Sequence, residues 1–554
     1  MAFDDLLEIV GSTGRFQIVH VTLLALPVMM MASHNLLSNF VAYVPPHHCS
    51  PPKNLSQRLL GPEDILLVTV PLDNLGKPLK CQRYASPQWH LLDTNSTAEE
   101  SEVREAELQD CADGWTYRLK ERDTSIVSQW DMVCDLRSLK QMAQTVYMAG
   151  VLVGAFLLGS LSDRFGRRML LIGSYLLMAV CGTCAAFSTS FSLFCFFRFG
   201  CGMALSGQGL NTLSLILEWI PTRIRTVVGT CTGYCYTVGQ LIFALIAYFI
   251  RDWRWLTLAV SLPFYVFFLI SWWFHESSRW LFINHQSERA IKNLKSVARV
   301  NGRCEEAEKI DLKVVQESMQ KEMSGSKGTY SILDLFKTPT MRSMTLCLAA
   351  VWFSTSFSYY GLSLDLQKFG VDMYLIQVIF GCADIPAKLV VIITMSRFGR
   401  RPSQAGALIL AGICILVNLL VPHDQLIART SMAVLGKGCL AASFTSCYLY
   451  SGELYPTIIR QNGMGLASMM ARVGAMVAPL ALLGEDYISW LPGVIYGGVP
   501  ILSGAAAMFL PETLGCSLPD TMQDVEDRGR GGKPKKPKDA ATVQDNLIGL
   551  KQVA

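Results

Sequence analysis

"SDRFGRR" at residues 162–168 returns as "MSRFGRR" at 395–401. Two further pairs keep nearly the same spacing: "EWIPTRIR" (218–225) with "ELYPTIIR" (453–460) and, more faintly, "HESSRWL" (275–281) with "PETLGCS" (511–517). Each second copy follows its first by about 235 residues, and self-similarity at one long separation marks a duplicated unit. The chain is therefore read as two homologous halves.

Composition says what each half is made of. Of 554 residues, 51% are hydrophobic and 17% charged, where a soluble domain carries about 25% charged. Apolar stretches recur at 16–41, 139–160, 169–189, 192–215, 228–250, 256–275, 341–364, 372–395, 403–421, 429–450, 461–482 and 489–510. Each is close to the roughly 20 residues with which a helix crosses a bilayer. A soluble all-α protein is excluded, because helices apolar all round have nowhere to bury in water. The expected fold is an all-α membrane protein of twelve transmembrane helices in two six-helix halves. Residues 1–275 form the first half, with a large outer loop at 42–138. Residues 276–340 form a cytosolic linker with short helices, 341–510 the second half, and 511–554 a cytosolic tail.

Positive charge sets the expected orientation. Arg164, Arg167 and Arg168 lie between helices 2 and 3, Arg223 and Arg225 between 4 and 5, Arg397, Arg400 and Arg401 between 8 and 9, and Arg460 between 10 and 11. All these loops fall on one side, with the basic linker and tail; "RDWR" (251–254) is a small exception opposite. Both termini are then cytosolic, and the first helix serves as an uncleaved signal anchor. The net charge of +4 reflects this bias, and no nucleic-acid motif accompanies it. The loop 42–138 falls outside. It carries sequons at Asn54 and Asn95 and four cysteines, Cys49, Cys81, Cys111 and Cys134. An even number in an oxidising compartment predicts two disulfides, with three pairings open. The remaining cysteines read as small apolar packing residues.

Two six-helix halves related by an axis along the membrane normal describe the major facilitator architecture. In that setting the loop motifs read as latches. Asp163, Arg167 and Arg168 sit at the turn between helices 2 and 3. Glu218 with Arg225, and Glu453 with Arg460, sit at helix ends. Such charges can pair across the halves when the cytosolic side closes. Ser396 replaces Asp163 in the second copy, so the two latches are not equivalent. There is no GxxxxGK[ST] loop for ATP, and "GRGGKPKK" (529–536) lacks its spacing. No HExxH or GxSxG motif occurs, so nothing points to an enzyme. The tail beyond about 517 is polar and rich in Lys, Gly and Pro, and reads as mostly disordered.

"MASHNLLSNF" (31–40), "SDRFGRR", "WFSTSFSYYGL" (352–362), "DIPAK" (384–388), "GKGCLAASF" (436–444), "GELYPT" (452–457) and "ARVGAMVAPL" (471–480) together resemble the organic anion transporters of solute carrier family 22. The resemblance covers nearly the whole chain and is nearest the renal branch that takes up aryl and alkyl carboxylates. It implies uptake of small organic anions at the plasma membrane, exchange for an intracellular dicarboxylate such as 2-oxoglutarate, and assistance by chloride, with no other cofactor.

The intramembrane charges give that resemblance a chemistry. Lys388 lies in the apolar run of helix 8, somewhat below its middle, and Arg472 in the middle of helix 11. A single charge at mid-membrane costs about 2.5–3.5 kcal/mol on insertion scales, so each must be compensated. Two cations converging on a cavity between the halves make an anion site, with Arg offering a fork and Lys a movable point charge. Asp384, one turn before Lys388, either neutralises it or holds it while the site is empty. Lys437, early in helix 10, is within snorkelling reach of the outer surface. Phe353, Phe357, Tyr359 and Tyr360 cluster on helix 7, Tyr234 and Tyr236 on helix 5, and Phe444 and Tyr448 on helix 10. Rings with phenol groups suit a ligand with an apolar body and one anionic end. By resemblance, Asn35, Tyr236, Tyr359, Tyr360, Lys388, Phe444 and Arg472 line the pocket. Met31 and Met203 add adaptable apolar surface, with helix packing the first reading for Met203. The alternatives are an organic cation or zwitterion carrier of the same fold, opposed by the sign of these charges, and a narrower anion carrier for prostaglandins, urate or steroid sulfates. A non-transporting receptor or scaffold is opposed by the paired latches.

Overall fold

The computed structural model describes residues 3–529 apart from 12, 53–60, 74–75, 93–106, 120–122, 304, 306–331, 365, 370, 423, 457, 517–518 and 520–521. The two sequons, Asn54 and Asn95, lie outside the described residues.

The twelve expected stretches are twelve helical segments. We label them α1 (Arg15–Val41), α2 (Ser138–Phe165), α3 (Arg167–Ala186), α4 (Phe191–Glu218), α5 (Thr222–Phe249), α6 (Trp253–Ser271), α7 (Pro339–Ser363), α8 (Met373–Phe398), α9 (Arg400–Leu420), α10 (Leu426–Leu454), α11 (Arg460–Ala481) and α12 (Leu491–Ala507). Among the described residues nine helices are long and apolar enough to span a membrane. The exceptions have physical reasons. α12 is short. α4 and α7 carry many polar groups, including Arg198, Gln208 and Asn211 on α4 and Ser354, Thr355 and Ser358 on α7, all turned inside the bundle. α6 is broken at Leu262, where Pro263 starts a second piece, and α1 breaks at Leu37.

Local chemistry fixes the helix ends. The Ser190 side chain caps α4 by accepting from the Leu193 amide. Asp252 caps α6, accepting from the amides of Arg254 and Trp255 at 2.9 and 3.1 Å. Gly166 and Gly399, the glycines of the opening repeat, end α2 and α8 with φ of +97° and +104°, a region that a side chain disfavours. Within the first half α2 packs tightly on α4. A Cβ on Gly150 would run into the Phe199 carbonyl, and one on Gly202 into that of Tyr147. This is the close approach that small residues permit between membrane helices. In the second half α7 packs on α11, and α9 on α10 and α12. α2 with α11, and α5 with α8, join the halves.

With an even number of spans, both termini lie on one face, here called the terminal face; the opposite one is the loop face. On the terminal face Phe3–Val10 packs on Ser287–Val300 through Leu6, Leu7, Val10, Leu294 and Val297. Asn301 accepts a hydrogen bond from the Phe16 amide at 2.9 Å, closing the start of α1. The second half has a counterpart. Its tail, expected without structure from about 517, forms a helix at Met522–Gly529, and Glu526 accepts from the Thr340 amide at 3.0 Å, closing the start of α7. On the loop face, residues His47–Cys49 pair with Trp115–Tyr117, and Gln82–Tyr84 with Leu108–Asp110. Of the three possible pairings, the cysteines adopt Cys49–Cys111 and Cys81–Cys134.

Candidate functional site

The helices between the two halves bring most of the expected residues together. Asn35 is at the centre of one group. Its amide donates to the Tyr236 hydroxyl at 3.1 Å, and its carbonyl accepts from Tyr147 at 2.9 Å. Tyr236 faces Tyr360 across the halves. Tyr359 meets Tyr360 edge-on at 5.5 Å and Phe444 at 5.3 Å. These rings are held by a polar network but keep apolar faces, which is what an amphipathic ligand requires.

Arg472 is half-buried on α11. Its guanidinium donates to the Ser468 hydroxyl at 2.6 Å and to the Ser468 carbonyl at 3.3 Å, within its own helix. It faces Tyr360 and Tyr448, and no described carboxylate lies within ion-pair distance. Lys388, also half-buried, donates to Thr237 Oγ1 at 2.7 Å and to the Gly233 carbonyl at 3.0 Å, both on α5, with the Tyr234 ring 5.6 Å away. It too has no described carboxylate within ion-pair distance. Both cations are hydrogen-bonded to neutral oxygens and not ion-paired with a described carboxylate.

Asp384 is not the partner of Lys388. It pairs with Lys437 at 3.0 Å, both side chains only 2% exposed. Lys437 therefore does not snorkel outward. It lies 4.9 Å from the Tyr359 ring and 5.2 Å from the Phe380 ring. Four residues turn a helix by 400° and advance it about 6 Å, so Lys388 sits 40° round and a turn beyond Asp384, where it reaches α5 instead of α10. Tyr359 donates to Asp384 at 3.4 Å and accepts from Gln240 at 3.1 Å, which ties the pair back to the first half.

Sequence reasoning missed Gln240, Thr237, Tyr147 and Arg198. Arg198, 2% exposed on α4, stacks over the Tyr147 ring at 4.2 Å and donates to the His34 carbonyl at 3.2 Å. A charge inside "FCFFRFG" was the available signal. Met31 approaches Gly209 of α4. The Met203 backbone forms the crossing of α4 with Gly154 of α2, in line with a packing role.

The described contacts of the loop motifs fall within each half. Arg167 pairs with Asp163 at 2.9 Å and with Glu218 at 3.5 Å; Arg400, rather than Arg460, pairs with Glu453 at 3.0 Å. Arg225 and Arg460 donate to the carbonyls of Ile220 and Tyr455 on their own turns, each at 3.2 Å. Glu276 accepts from the amides of Arg167 and Arg168 at 3.1 and 3.0 Å, and Glu512 from those of Arg400 and Arg401 at 2.9 and 3.1 Å. Each seats on its positive-φ glycine, where a Cβ would displace it. Their titration differs. Burial dominates at Glu276 and raises its pKa. At Glu512 burial is outweighed by four backbone amides, which hold it below the usual carboxylate range.

Among the described residues, bonds between the halves gather from mid-helix to the loop face. Asn39 donates to the Ser363 carbonyl at 2.7 Å. Gln367 exchanges two 3.2 Å bonds with the Val44 backbone and accepts from Lys140 at 3.4 Å. Phe40 stacks on Tyr374 at 5.3 Å.

The comparisons agree with this architecture. Residues 92–524 match the family described as "Sugar (and other) transporter". The chain is 69% identical to solute carrier family 22 member 6 of Pseudopleuronectes americanus, over 99% of each chain. It is 66% identical to the protein of that name in Danio rerio, over 96% of this chain and 95% of the other. With the one in Oryctolagus cuniculus it shares 50% identity over 97% and 96%. Among solved structures, the inward open xylose transporter XylE of E. coli superposes with a TM-score of 0.59 at 16% identity, over 91% of this chain and 98% of that one. Its partially occluded inward open form gives 0.61 at 17%, over 91% and 99%.

Proposed function

This chain belongs to solute carrier family 22, within the major facilitator transporters, and on that premise we propose that it carries amphipathic organic anions, carboxylates and sulfates, across the plasma membrane by alternating access. Intracellular dicarboxylate such as 2-oxoglutarate is the exchanged partner, and chloride is the accessory ion that the cationic site would accept. Arginines concentrate on the terminal face, which supports placing that face and both termini in the cytosol. Lumenal placement of the loop would leave Asn54 and Asn95 open to glycosylation.

The observation that carries the reading is the pair Lys388 and Arg472. Both are charged, half-buried, bonded to neutral oxygens and set against Tyr234, Tyr360 and Tyr448. An entering anion gains a charge-assisted bond from each, and the rings take its apolar body. Asp384 does not oppose it, because Lys437 already neutralises that carboxylate, and this also weighs against a cation carrier. The described bonds between the halves gather toward the loop face, which supports ligand access from the terminal face in this state; rocking the halves would expose the site on the other side.

The test is uptake of a panel of labelled organic anions and cations into cells expressing the protein, with and without dicarboxylate preloading. Anion uptake accelerated by preloading is expected. Uptake confined to cations would overturn the reading, and anion uptake indifferent to preloading would remove the exchange step alone.

A further inference from the structure

A cavity of about 700 Å³ opens on the terminal face where α2, α3 and α6 end. One side of it is apolar and uncovered: Met169 and Trp272 are each 54% exposed and Trp273 is 75% exposed. Tryptophans at the end of a membrane helix sit at headgroup depth, with their rings against acyl chains. The other side is cationic. Arg168 is in the first turn of α3; Arg289 and Lys292 lie three residues apart on the helix Ser287–Val300, side by side on its exposed face. The opposite face of that helix is buried through Ala290, Leu294 and Val297, so the two cations are held in place.

The charge balance of the pocket is positive. The one carboxylate among its described lining residues, Glu276, is turned into the α3 amides and to Ser277. His275 is kept neutral near pH 7, first by burial and then by the charge of Arg168. Arg168 spends one nitrogen on the Trp272 carbonyl, while its buried Nε has no partner.

We infer that this pocket binds an anionic phospholipid of the leaflet on the terminal face, its headgroup phosphate between Arg168, Arg289 and Lys292 and its acyl chains along Met169, Trp272 and Trp273. A guanidinium fork matches phosphate oxygens, and lysine adds a point charge. The exposed aromatic wall favours a lipid over free phosphate, because inorganic phosphate would leave that wall uncovered. Nothing in this inference depends on what the protein transports.

The experiment uses the full-length protein purified into nanodiscs of mixed phosphatidylcholine and phosphatidylserine, with retained lipid counted by native mass spectrometry. Wild type should retain phosphatidylserine in preference to phosphatidylcholine. Arg289→Glu/Lys292→Glu should lower that preference by about tenfold or more, the scale set by two basic side chains near an anionic leaflet. Arg289→Gln/Lys292→Gln serves if the double reversal does not fold, and Lys295→Glu on the same helix should leave the preference intact. Equal retention of both lipids by wild type, or an unchanged preference in the double variants, would refute the site. Displacement of the lipid by an equal concentration of inorganic phosphate would refute the lipid assignment.

Discussion

Asp384 and Lys437 form a closed ion pair, 3.0 Å apart and 2% exposed, while Lys388 on the same helix as Asp384 reaches away to α5. The two lysines therefore have different tasks. Lys437 neutralises a buried carboxylate and holds α10 to α8. Lys388 bridges α8 to the opposite half and has no described carboxylate within ion-pair distance.

Removing one member of the buried pair should be costly. Lys437→Ala leaves Asp384 charged in an apolar interior, a loss of about 3–5 kcal/mol for a broken buried pair. The variant should melt earlier in detergent and reach the cell surface in smaller amount. Asp384→Asn/Lys437→Met should recover most of that loss, because no lone charge remains. Thermal unfolding of the purified variants decides the matter; a single variant as stable as the double one would show the pair to be energetically idle.

Lys388→Ala should behave differently. Its neighbours on α5 are a hydroxyl and a helical carbonyl, so the fold and surface amount should hold. Anion uptake should weaken about tenfold or more, the scale of one charge-assisted bond. Adding Asp384→Asn should not restore it. Rescue by that second substitution, measured as uptake normalised to surface-labelled protein, would return Lys388 to the role of a counter-charge.

Arg472→Lys keeps the charge and loses the fork. It should raise the apparent KM for monocarboxylates and dicarboxylates alike, because the two oxygens of any one carboxylate are what the fork recognises. Arg472→Ala should lower uptake of both by about tenfold or more. Unchanged KM and rate in Arg472→Ala at equal surface amount would make this residue structural.

Gln367 ties the second half to Val44 and Lys140 of the first on the loop face. Gln367→Leu removes those bonds, each worth about 1 kcal/mol, and should shift the population toward a state open on that face. In a Ser363→Cys background, where position 363 is buried, an impermeant maleimide should then react on the order of tenfold faster. Equal labelling rates with and without Gln367 would mean that the tie does not gate access.

The fold was largely legible because its signals are local. The twelve apolar stretches and the paired glycines at 166 and 399 announce both the helices and the duplication. The site was legible only in part. Arg472, Tyr236, Tyr360 and Asn35 share the interface between the halves, as expected. The Asp384–Lys437 pair was hidden because spacing along α8 offers Lys388 as the nearer partner, and only the packing of α10 against α8 reverses that choice. Lys437 read as a surface-seeking side chain because distance from a helix end measures depth, not facing. Gln240, Thr237 and Tyr147 are single polar residues in apolar helices, with no pattern to single them out until neighbouring helices converge on them.

Glu276 and Glu512 each fasten the last stretch of one half onto the start of its third helix, while Asn301 and Glu526 fasten the first. The described fastenings of the first half are complete before residue 304, and those of the second begin after 331. The gene could therefore be cut in two. Separate polypeptides ending and starting within 306–331 should each fold as a half-carrier and reassemble in the membrane through α2 with α11 and α5 with α8. Co-expression should yield surface protein and measurable uptake, and either piece alone none. Fragments that are degraded when co-expressed would mean that the covalent connection, and not the carboxylate clasps, makes each half a rigid body.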